Sequence, residues 1–172
     1  GVDRYNHNVN TSADHYRNIA TTHTYDDRVR TVEEAKVAGM SPCSGVIVGM
    51  KETYEDIYEM GKALRQMDVD SIPVNFLHAI DGTALEGTNE LNPIYCLKVL
   101  AYFRYMIPSK EIRISGGREK NLRSLQPLGL YAANAIFVGN YLTTDGQAET
   151  KDHEMIRDLG FEIEQQSSPA YA

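Results

Sequence analysis

Apolar and polar positions along the chain form short runs with strand-like alternation, separated by longer stretches with helical spacing. The strand-like runs are predicted over residues 4–9, 43–48, 71–80, 111–115 and 135–138. A helical stretch follows each run, and a repeated unit of strand and helix is typical of a parallel α/β sheet. The pattern therefore predicts an α/β protein built from βα units.

Capping residues mark the beginnings of three predicted helices. Thr24 and Thr53 are each followed three residues later by Asp, which is the spacing of a capping box. Asn92 stands before a proline and begins a third helix, whose inward positions are predicted to be Ile94, Leu97 and Ala101. The stretch 122–133 contains proline and glycine, so a short or kinked helix is expected there.

One face of the predicted strands is polar and the other is apolar. The positions that alternate onto the polar face are Asn6, Asn8, Asn10, Cys43, Gly45, Ile47, Ser71, Pro73, Asn75, Glu111, Arg113 and Ser115. A doubly wound sheet with helices on both sides would be apolar on both faces. The interior of a barrel can instead hold a ligand. We therefore predict part of a TIM-type (β/α)8 barrel with a polar chamber.

Composition restricts the class of protein. The 172 residues carry a net charge of -7, with 42% hydrophobic and 24% charged residues, values typical of a globular domain. We assign residues 1–164 to one domain and 165–172 to a polar tail. Apolar stretches stay short of the ~18 residues of a membrane span, so insertion into a membrane is not expected. The sequence lacks a stripe of basic residues, so binding to nucleic acid is not expected either. Two cysteines and no signal peptide predict a cytoplasmic protein, and the opening Gly1-Val2-Asp3 predicts a fragment.

Several polar residues allow more than one interpretation. The three asparagines over residues 6–10 are suited to a polar ligand and are also common in turns. An inward Arg113 requires an anion, a metal cluster or a carboxylate such as Glu111. Cys43 is either a packed side chain or a ligand. The segment 115–118 is either an anion-binding turn or a simple tight turn, and the five histidines lack the spacing of a zinc site.

Six motifs follow one another along the whole chain. They are Tyr5-Asn6-His7-Asn8, Thr21-Thr22-His23-Thr24-Tyr25 with Arg28, Cys43-Ser44-Gly45-Val46-Ile47-Val48-Gly49, Pro73-Val74-Asn75, Arg113-Ile114-Ser115-Gly116-Gly117-Arg118-Glu119 and Leu142-Thr143-Thr144. In order and spacing they resemble the biotin synthases, a radical S-adenosylmethionine family. The resemblance implies a TIM-type barrel that inserts sulfur into dethiobiotin by 5′-deoxyadenosyl radical chemistry, and it places this chain at about strands 4 to 8.

The resemblance also implies roles for individual residues. It implies that a 2Fe-2S cluster has two of its ligands in Cys43 and Arg113. The implied contacts of S-adenosylmethionine are Asn8, Asn10, Arg28 and Ile47. The implied contacts of dethiobiotin are Asn6, Asn8, Asn75, Thr143 and Thr144. The C-x-x-x-C-x-x-C loop that binds a 4Fe-4S cluster would lie upstream, so this fragment alone is expected to be inactive.

The resemblance further implies a reducing electron-transfer protein and a second copy of the chain as partners. Side chains for acid and base catalysis are not expected, because binding and exclusion of water dominate radical chemistry. Two alternatives stay open. One is another radical S-adenosylmethionine barrel, such as the hydrogenase-maturation relatives. The other is a half-barrel that binds a partner without catalysis.

Overall fold

The computed structural model describes residues 1–88, 90–141 and 145–164. The chain forms two compact units, residues 1–137 and 138–172. The strands of the first unit are β1 Arg4–Asn6, β2 Ser41–Cys43, β3 Val46–Val48, β4 Ser71–Phe76, β5 Glu111–Ile114 and β6 Ala135–Ile136. Its α-helices are α1 Ala13–Tyr16, α2 Tyr25–Val37, α3 Tyr54–Gln66, α4 Pro93–Met106, α5 Arg118–Leu122 and α6 Gln126–Gly129. The second unit contains α7 Glu149–Asp158.

All strand pairs in the sheet are parallel, and neighbouring strands follow the order of the chain. The order is β1-β2-β4-β5-β6, with β3 also paired to β4. Cys43 pairs with Ser71 and Val46 with Val74, so β2 and β3 are two parts of one interrupted strand in a single register. This sequential order confirms the predicted α/β sheet as an arc of a barrel, which does not close within the described residues.

The two faces of the sheet differ as predicted. The fully buried strand residues on the face toward the helices are Val46, Val48, Ile72, Val74, Ile112 and Ile114. They join one hydrophobic core with helix residues such as Met60, Leu64 and Phe103. On the opposite face lie Asn75 and Arg113, which are half-buried. Burial of apolar area therefore holds the helices on one side and leaves the polar side for binding.

The predicted helix beginnings are confirmed for α2 and α3. The Thr24 hydroxyl accepts a hydrogen bond from the Asp27 amide at 3.2 Å, and the Asp27 carboxylate accepts one from the Thr24 amide at 2.9 Å. Thr53 and Asp56 form the same reciprocal pair at 3.2 and 2.8 Å. Each capping box satisfies amides that the first turn of a helix leaves without partners.

The predicted inward face of α4 is wrong for Ile94 and Ala101, whereas Leu97 is partly buried and packs against the hydrophobic core. The buried positions of this helix are Cys96, Val99, Leu100 and Phe103, whereas Ile94 and Ala101 are exposed. The helix is apolar on both faces, so periodicity alone could not choose between them. The interpretation of Cys96 as a packed core residue is confirmed, since its side chain is fully buried.

Several predicted elements have different limits in the structure. The runs 4–9 and 71–80 become strands only over Arg4–Asn6 and Ser71–Phe76. The helical stretch predicted over 122–133 begins earlier, at Arg118, and is broken by a 3-10 turn over Arg123–Leu125 before α6. Arg123 has a positive φ of 53°, which interrupts the helix there.

Arg104 near the end of α4 fixes the connection that leads into β5. Its guanidinium donates to the backbone oxygens of Ala132 at 2.7 Å and of Pro108 and Lys110 at 2.9 Å. It also donates to Oδ1 of Asn134 at 2.7 Å. One side chain thus satisfies carbonyls from the end of α4 and from both neighbouring strand beginnings, and this sets where β5 starts.

Candidate binding site on the inner face of the sheet

A row of side chains crosses the polar face at the ends of β1 and β2 and at the beginnings of β4 and β5. Strand pairing places Asn6, Cys43, Ser71 and Glu111 side by side on four neighbouring strands. Cys43 is 2% exposed, and its Sγ accepts a hydrogen bond from Nδ2 of Asn6 at 3.0 Å. The predicted ligand Cys43 and the predicted substrate contact Asn6 are therefore direct neighbours.

Arg113 lies on the same face, and its carboxylate partner is Glu111. The Arg113 guanidinium donates to Oε1 of Glu111, which also accepts from the Ser71 hydroxyl at 2.6 Å. Arg4 lies 3.6 Å from the other carboxylate oxygen. Glu111 thus contacts two guanidinium groups at once, and the carboxylate alternative for Arg113 is present.

The asparagines after β1 do not continue the strand as predicted. Asn6 pairs with Cys43, and the next pairing is a bridge between Asn10 and Val46. Between these two pairings the first segment advances by four residues and the second by three. Asn10 has a positive φ of 69°. One extra residue therefore interrupts the alternation that predicted Asn8 and Asn10 on the same face as Asn6.

The Asn8 side chain is nevertheless turned to the neighbouring strand. Its Oδ1 accepts a hydrogen bond from the Gly45 amide at 3.0 Å. Within the described residues, no partner is recorded for the Nδ2 of Asn8 or for the side chain of Asn10. Both groups keep hydrogen-bonding capacity for a ligand.

Asn75 joins the ends of two strands through backbone groups. Its Nδ2 donates to the Val46 oxygen at 3.1 Å, and its Oδ1 accepts from the Gly116 amide at 3.0 Å. The Gly116 amide is thus occupied, and Gly117 has a positive φ of 74°, a conformation that both a tight turn and an anion-binding turn use, so both interpretations of the segment 115–118 stay open. One hydrogen of Nδ2 and one lone pair of Oδ1 are left for a substrate.

We expect Asn75→Ala to lower the free energy of unfolding by about 2 kcal/mol, because two hydrogen bonds between strand ends are lost. The measurement is urea unfolding of the native polypeptide, followed by circular dichroism. The matched control is Asn18→Ala, which removes an exposed side chain with a single 3.3 Å contact to His15 and should change stability little. An Asn75→Ala protein with an unchanged midpoint would show that these bonds do not hold the strands.

Arg28 on α2 contacts a hydroxyl and two imidazole rings. Its Nε donates to the Tyr16 hydroxyl at 2.9 Å, its Nη2 lies 2.6 Å from Nε2 of His23 and its Nη1 lies 3.4 Å from Nε2 of His7. Burial, together with the charges of Arg28 and His23, lowers the pKa of His7. The contacts of Arg28 among the described residues include no carboxylate, so its positive charge is available to an anion.

The strand that carries Ile47 ends in a turn at Gly49. Ile47 is half-buried and pairs with Asn75 across the sheet. Gly49 has a φ of 105°, and its amide donates to Oε1 of Glu52 at 2.7 Å. The other oxygen of Glu52 is buried, without a recorded partner in the described part of the chain. A flat ligand over Ile47 would therefore meet backbone and a polar rim.

Sequence reasoning missed Tyr16, Glu52 and the roles of His7 and His23 beside Arg28. Tyr16 belongs to α1, a helix of four residues that periodicity does not mark. The carboxylate of Glu52 stands three residues after Gly49, a spacing that could have identified it. Thr143 and Thr144, which were predicted to bind the substrate, lie outside the described residues. Among residues 1–88, 90–141 and 145–164, no three His, Cys, Asp or Glu side chains gather as a metal site.

Two family models match the sequence. Residues 73–162 match the Biotin and Thiamin Synthesis associated domain, and residues 1–64 match the Radical SAM superfamily. The first match covers more than half of the chain. The chain therefore belongs to the family of the Biotin and Thiamin Synthesis associated domain, preceded by a Radical SAM region.

Similar proteins narrow the family further. The chain is 75% identical to a biotin synthase of Bacillus licheniformis over 95% of its length, which is 49% of that protein. It is 73% identical to a biotin synthase of Geobacillus thermodenitrificans, with 98% of this chain and 51% of the relative covered. A Bacillus subtilis biotin synthase is 73% identical over 95% of the chain and 49% of the relative. The resemblance to biotin synthases is confirmed, and the chain spans about half the length of these relatives.

A solved structure shares the fold. It is the crystal structure of methylornithine synthase (PylB), with a TM-score of 0.76 and 20% sequence identity. The likeness covers 96% of this chain and 53% of that one. At this identity the comparison supports the partial barrel and leaves the reaction open.

Proposed function

We propose that this chain supplies half of the barrel of a biotin synthase, the enzyme that inserts sulfur into dethiobiotin to form biotin. The supporting observation is the identity of 73–75% to proteins of that name over 95–98% of this chain. Within the described residues, the inner face contributes hydrogen-bonding groups suited to binding, such as those of Asn8 and Asn75. This is expected where positioning and exclusion of water carry the chemistry.

S-adenosylmethionine is the proposed cofactor, and its implied contacts fit the charges on this face. Arg28 would pair with the methionyl carboxylate, because its contacts within the described part of the chain include no carboxylate. Asn8 and Asn10 would bind the ribose, and Ile47 would cover the adenine. When bound, S-adenosylmethionine supplies the radical chemistry, while these residues hold it in place and keep water out.

The 2Fe-2S cluster is the second proposed cofactor, and Cys43 fits it as a buried thiol ligand. Arg113 is the second proposed ligand, and its guanidinium is bound to Glu111 in this structure. While it is protonated and bound to Glu111, the guanidinium has no lone pair for iron, so ligation would require Arg113 to lose a proton and to leave Glu111. The cluster would supply the sulfur, and its further ligands are not found among the described residues, nor are those of the 4Fe-4S cluster.

Dethiobiotin is the proposed substrate. Its ureido ring would bind the remaining hydrogens and lone pairs of the Asn6, Asn8 and Asn75 side-chain amides, since such a ring needs both donors and acceptors. Thr143 and Thr144 would bind the carboxylate tail. The proposal includes a reducing electron-transfer protein and a homodimer in the cytoplasm. The described residues contain no helix long and apolar enough to cross a membrane.

Two other functions would use the same fold. Another radical S-adenosylmethionine barrel would bind the adenosyl ligand through Arg28 without needing iron at Cys43. A half-barrel that only binds a partner would need neither the adenosyl ligand nor iron. These alternatives differ in the iron content of a Cys43→Ala variant.

The test measures conversion of dethiobiotin to biotin under anaerobic conditions with S-adenosylmethionine and a reductant. It uses the native polypeptide as its gene encodes it. It also uses a chimera that joins residues 1–172 behind the upstream half of the Bacillus subtilis relative. We expect biotin from both proteins. A chimera that folds, binds iron and consumes S-adenosylmethionine without forming biotin would overturn the proposal and favour another radical enzyme.

A further inference from the structure

The partners of Arg28 constrain one another chemically. A guanidinium keeps its protons, so every atom that it contacts by hydrogen bond must accept. His23 therefore presents the lone pair of Nε2 to Arg28 at 2.6 Å. Its Nδ1 lies 2.8 Å from the Thr22 hydroxyl and carries the ring proton toward it. The geometry thus assigns Nε2 of His23 as the acceptor of Arg28 and Nδ1 as the atom that faces Thr22.

Burial and packing hold the Tyr16 side chain in place. Its side chain is 2% exposed, and its ring meets the His23 ring edge-on at a centroid distance of 6.0 Å. The helix α1 that carries it begins at Ser12, whose hydroxyl donates to Oδ1 of Asp56 on α3 at 2.5 Å. The Tyr16 hydroxyl therefore lies at a position set by two helices, and the Nε of Arg28 is held at 2.9 Å from it.

Tyr16 and His23 orient Arg28 without supplying a carboxylate. A carboxylate at either position would bind the guanidinium more strongly and would also compete with an incoming anion. Tyr16 occupies the hydrogen of Nε, and His23 occupies one hydrogen of Nη2. Nη1 makes only longer contacts, at 3.4 Å to Nε2 of His7 and 3.5 Å to the Asn8 oxygen, so its hydrogens and the second hydrogen of Nη2 are the ones left to pair with a carboxylate.

We propose that Tyr16 and His23 are positioning residues, which hold Arg28 in the orientation that binds the carboxylate of the amino-acid part of the adenosyl ligand. This inference rests on the proposed function, in which Arg28 is the contact of that carboxylate. Tyr16 and His23 do not touch the ligand in this scheme. Their effect is therefore confined to ligands that carry the carboxylate.

The experiment compares two ligands of the native polypeptide with its clusters loaded. S-adenosylhomocysteine carries the carboxylate, and 5′-methylthioadenosine is the same nucleoside thioether without it. Both affinities are measured by isothermal titration calorimetry. We expect Tyr16→Phe to weaken S-adenosylhomocysteine about five-fold, as for one lost hydrogen bond, and to leave methylthioadenosine unchanged. His23→Phe should act in the same way, whereas His23→Gln should restore binding because its side-chain oxygen accepts.

The matched control is Tyr25→Phe. Tyr25 packs against the Tyr16 ring at 5.9 Å, and no contact with Arg28 is recorded for it among the described residues. This variant should bind both ligands as the unmodified protein does. Tyr16→Phe with unchanged affinity for S-adenosylhomocysteine, or with equal losses for both ligands, would overturn the inference. An unmodified protein that binds neither ligand would instead overturn the proposed function.

Discussion

Replacing Gly45 with alanine is expected to lower the free energy of unfolding by about 3 kcal/mol, the upper part of the range for overpacked sites. A Cβ at this position would lie 1.9 Å from the Pro73 oxygen and 2.6 Å from its Cγ. The oxygen belongs to the backbone of β4, so a side chain cannot rotate away to make room. The strand that carries Cys43 would have to separate from β4, and the bond from the Gly45 amide to Asn8 would be strained with it.

Urea unfolding of the native polypeptide measures this change. The matched control is Gly39→Ala, which has a positive φ of 81° and open space around the added Cβ. It tests the strain of backbone conformation alone, and we expect a loss of about 1 kcal/mol. Equal losses in the two variants would mean that the close approach of Gly45 to Pro73 is relieved without moving the strand.

Replacing Cys43 with alanine is expected to remove the iron and sulfide of the two-iron cluster. The reason is the loss of a buried thiol from the polar face, in the row that also contains Asn6 and Glu111. Iron analysis and the visible absorption spectrum of the reconstituted native polypeptide measure the loss. The iron of the four-iron cluster should remain, because its ligands lie elsewhere in the proposal.

Cys96→Ala is the matched control for this variant. The Cys96 thiol is buried within the hydrophobic core, and burial raises its pKa to about 12, so its thiolate form is not available to iron. This variant should keep its full iron content and lose only some packing energy. Full iron in Cys43→Ala would remove Cys43 from the cluster site and would favour a different radical S-adenosylmethionine enzyme.

The fold follows from local patterns wherever one face of an element is clearly polar. Ile112 and Ile114 alternate with Glu111 and Arg113, and the structure separates them onto opposite faces of β5. The capping boxes at Thr24 and Thr53 also form as their spacing predicts. Such features depend on residues close in sequence, so the chain order of strands and helices could be predicted.

The remaining features depend on contacts between distant residues. The helix α4 is apolar on both sides, and only packing against the sheet selects Leu100 over Ala101. The partners of Arg28 come from a four-residue helix and two loops. The pair of Arg113 and Glu111 was foreseeable from spacing, whereas the additional contacts of Glu111 with Ser71 and Arg4 require the assembled sheet.

The extra residue between Asn6 and Asn10 restricts how this segment can change during evolution. Three residues cross from a regular strand to the bridge with Val46, and within this span Asn8 reaches the Gly45 amide while Val9 is fully buried. A deletion would straighten the path, and two residues could not satisfy both contacts. The number of residues in this segment is therefore constrained together with the side chains of Asn8 and Val9, so its length marks this site as well as its composition does.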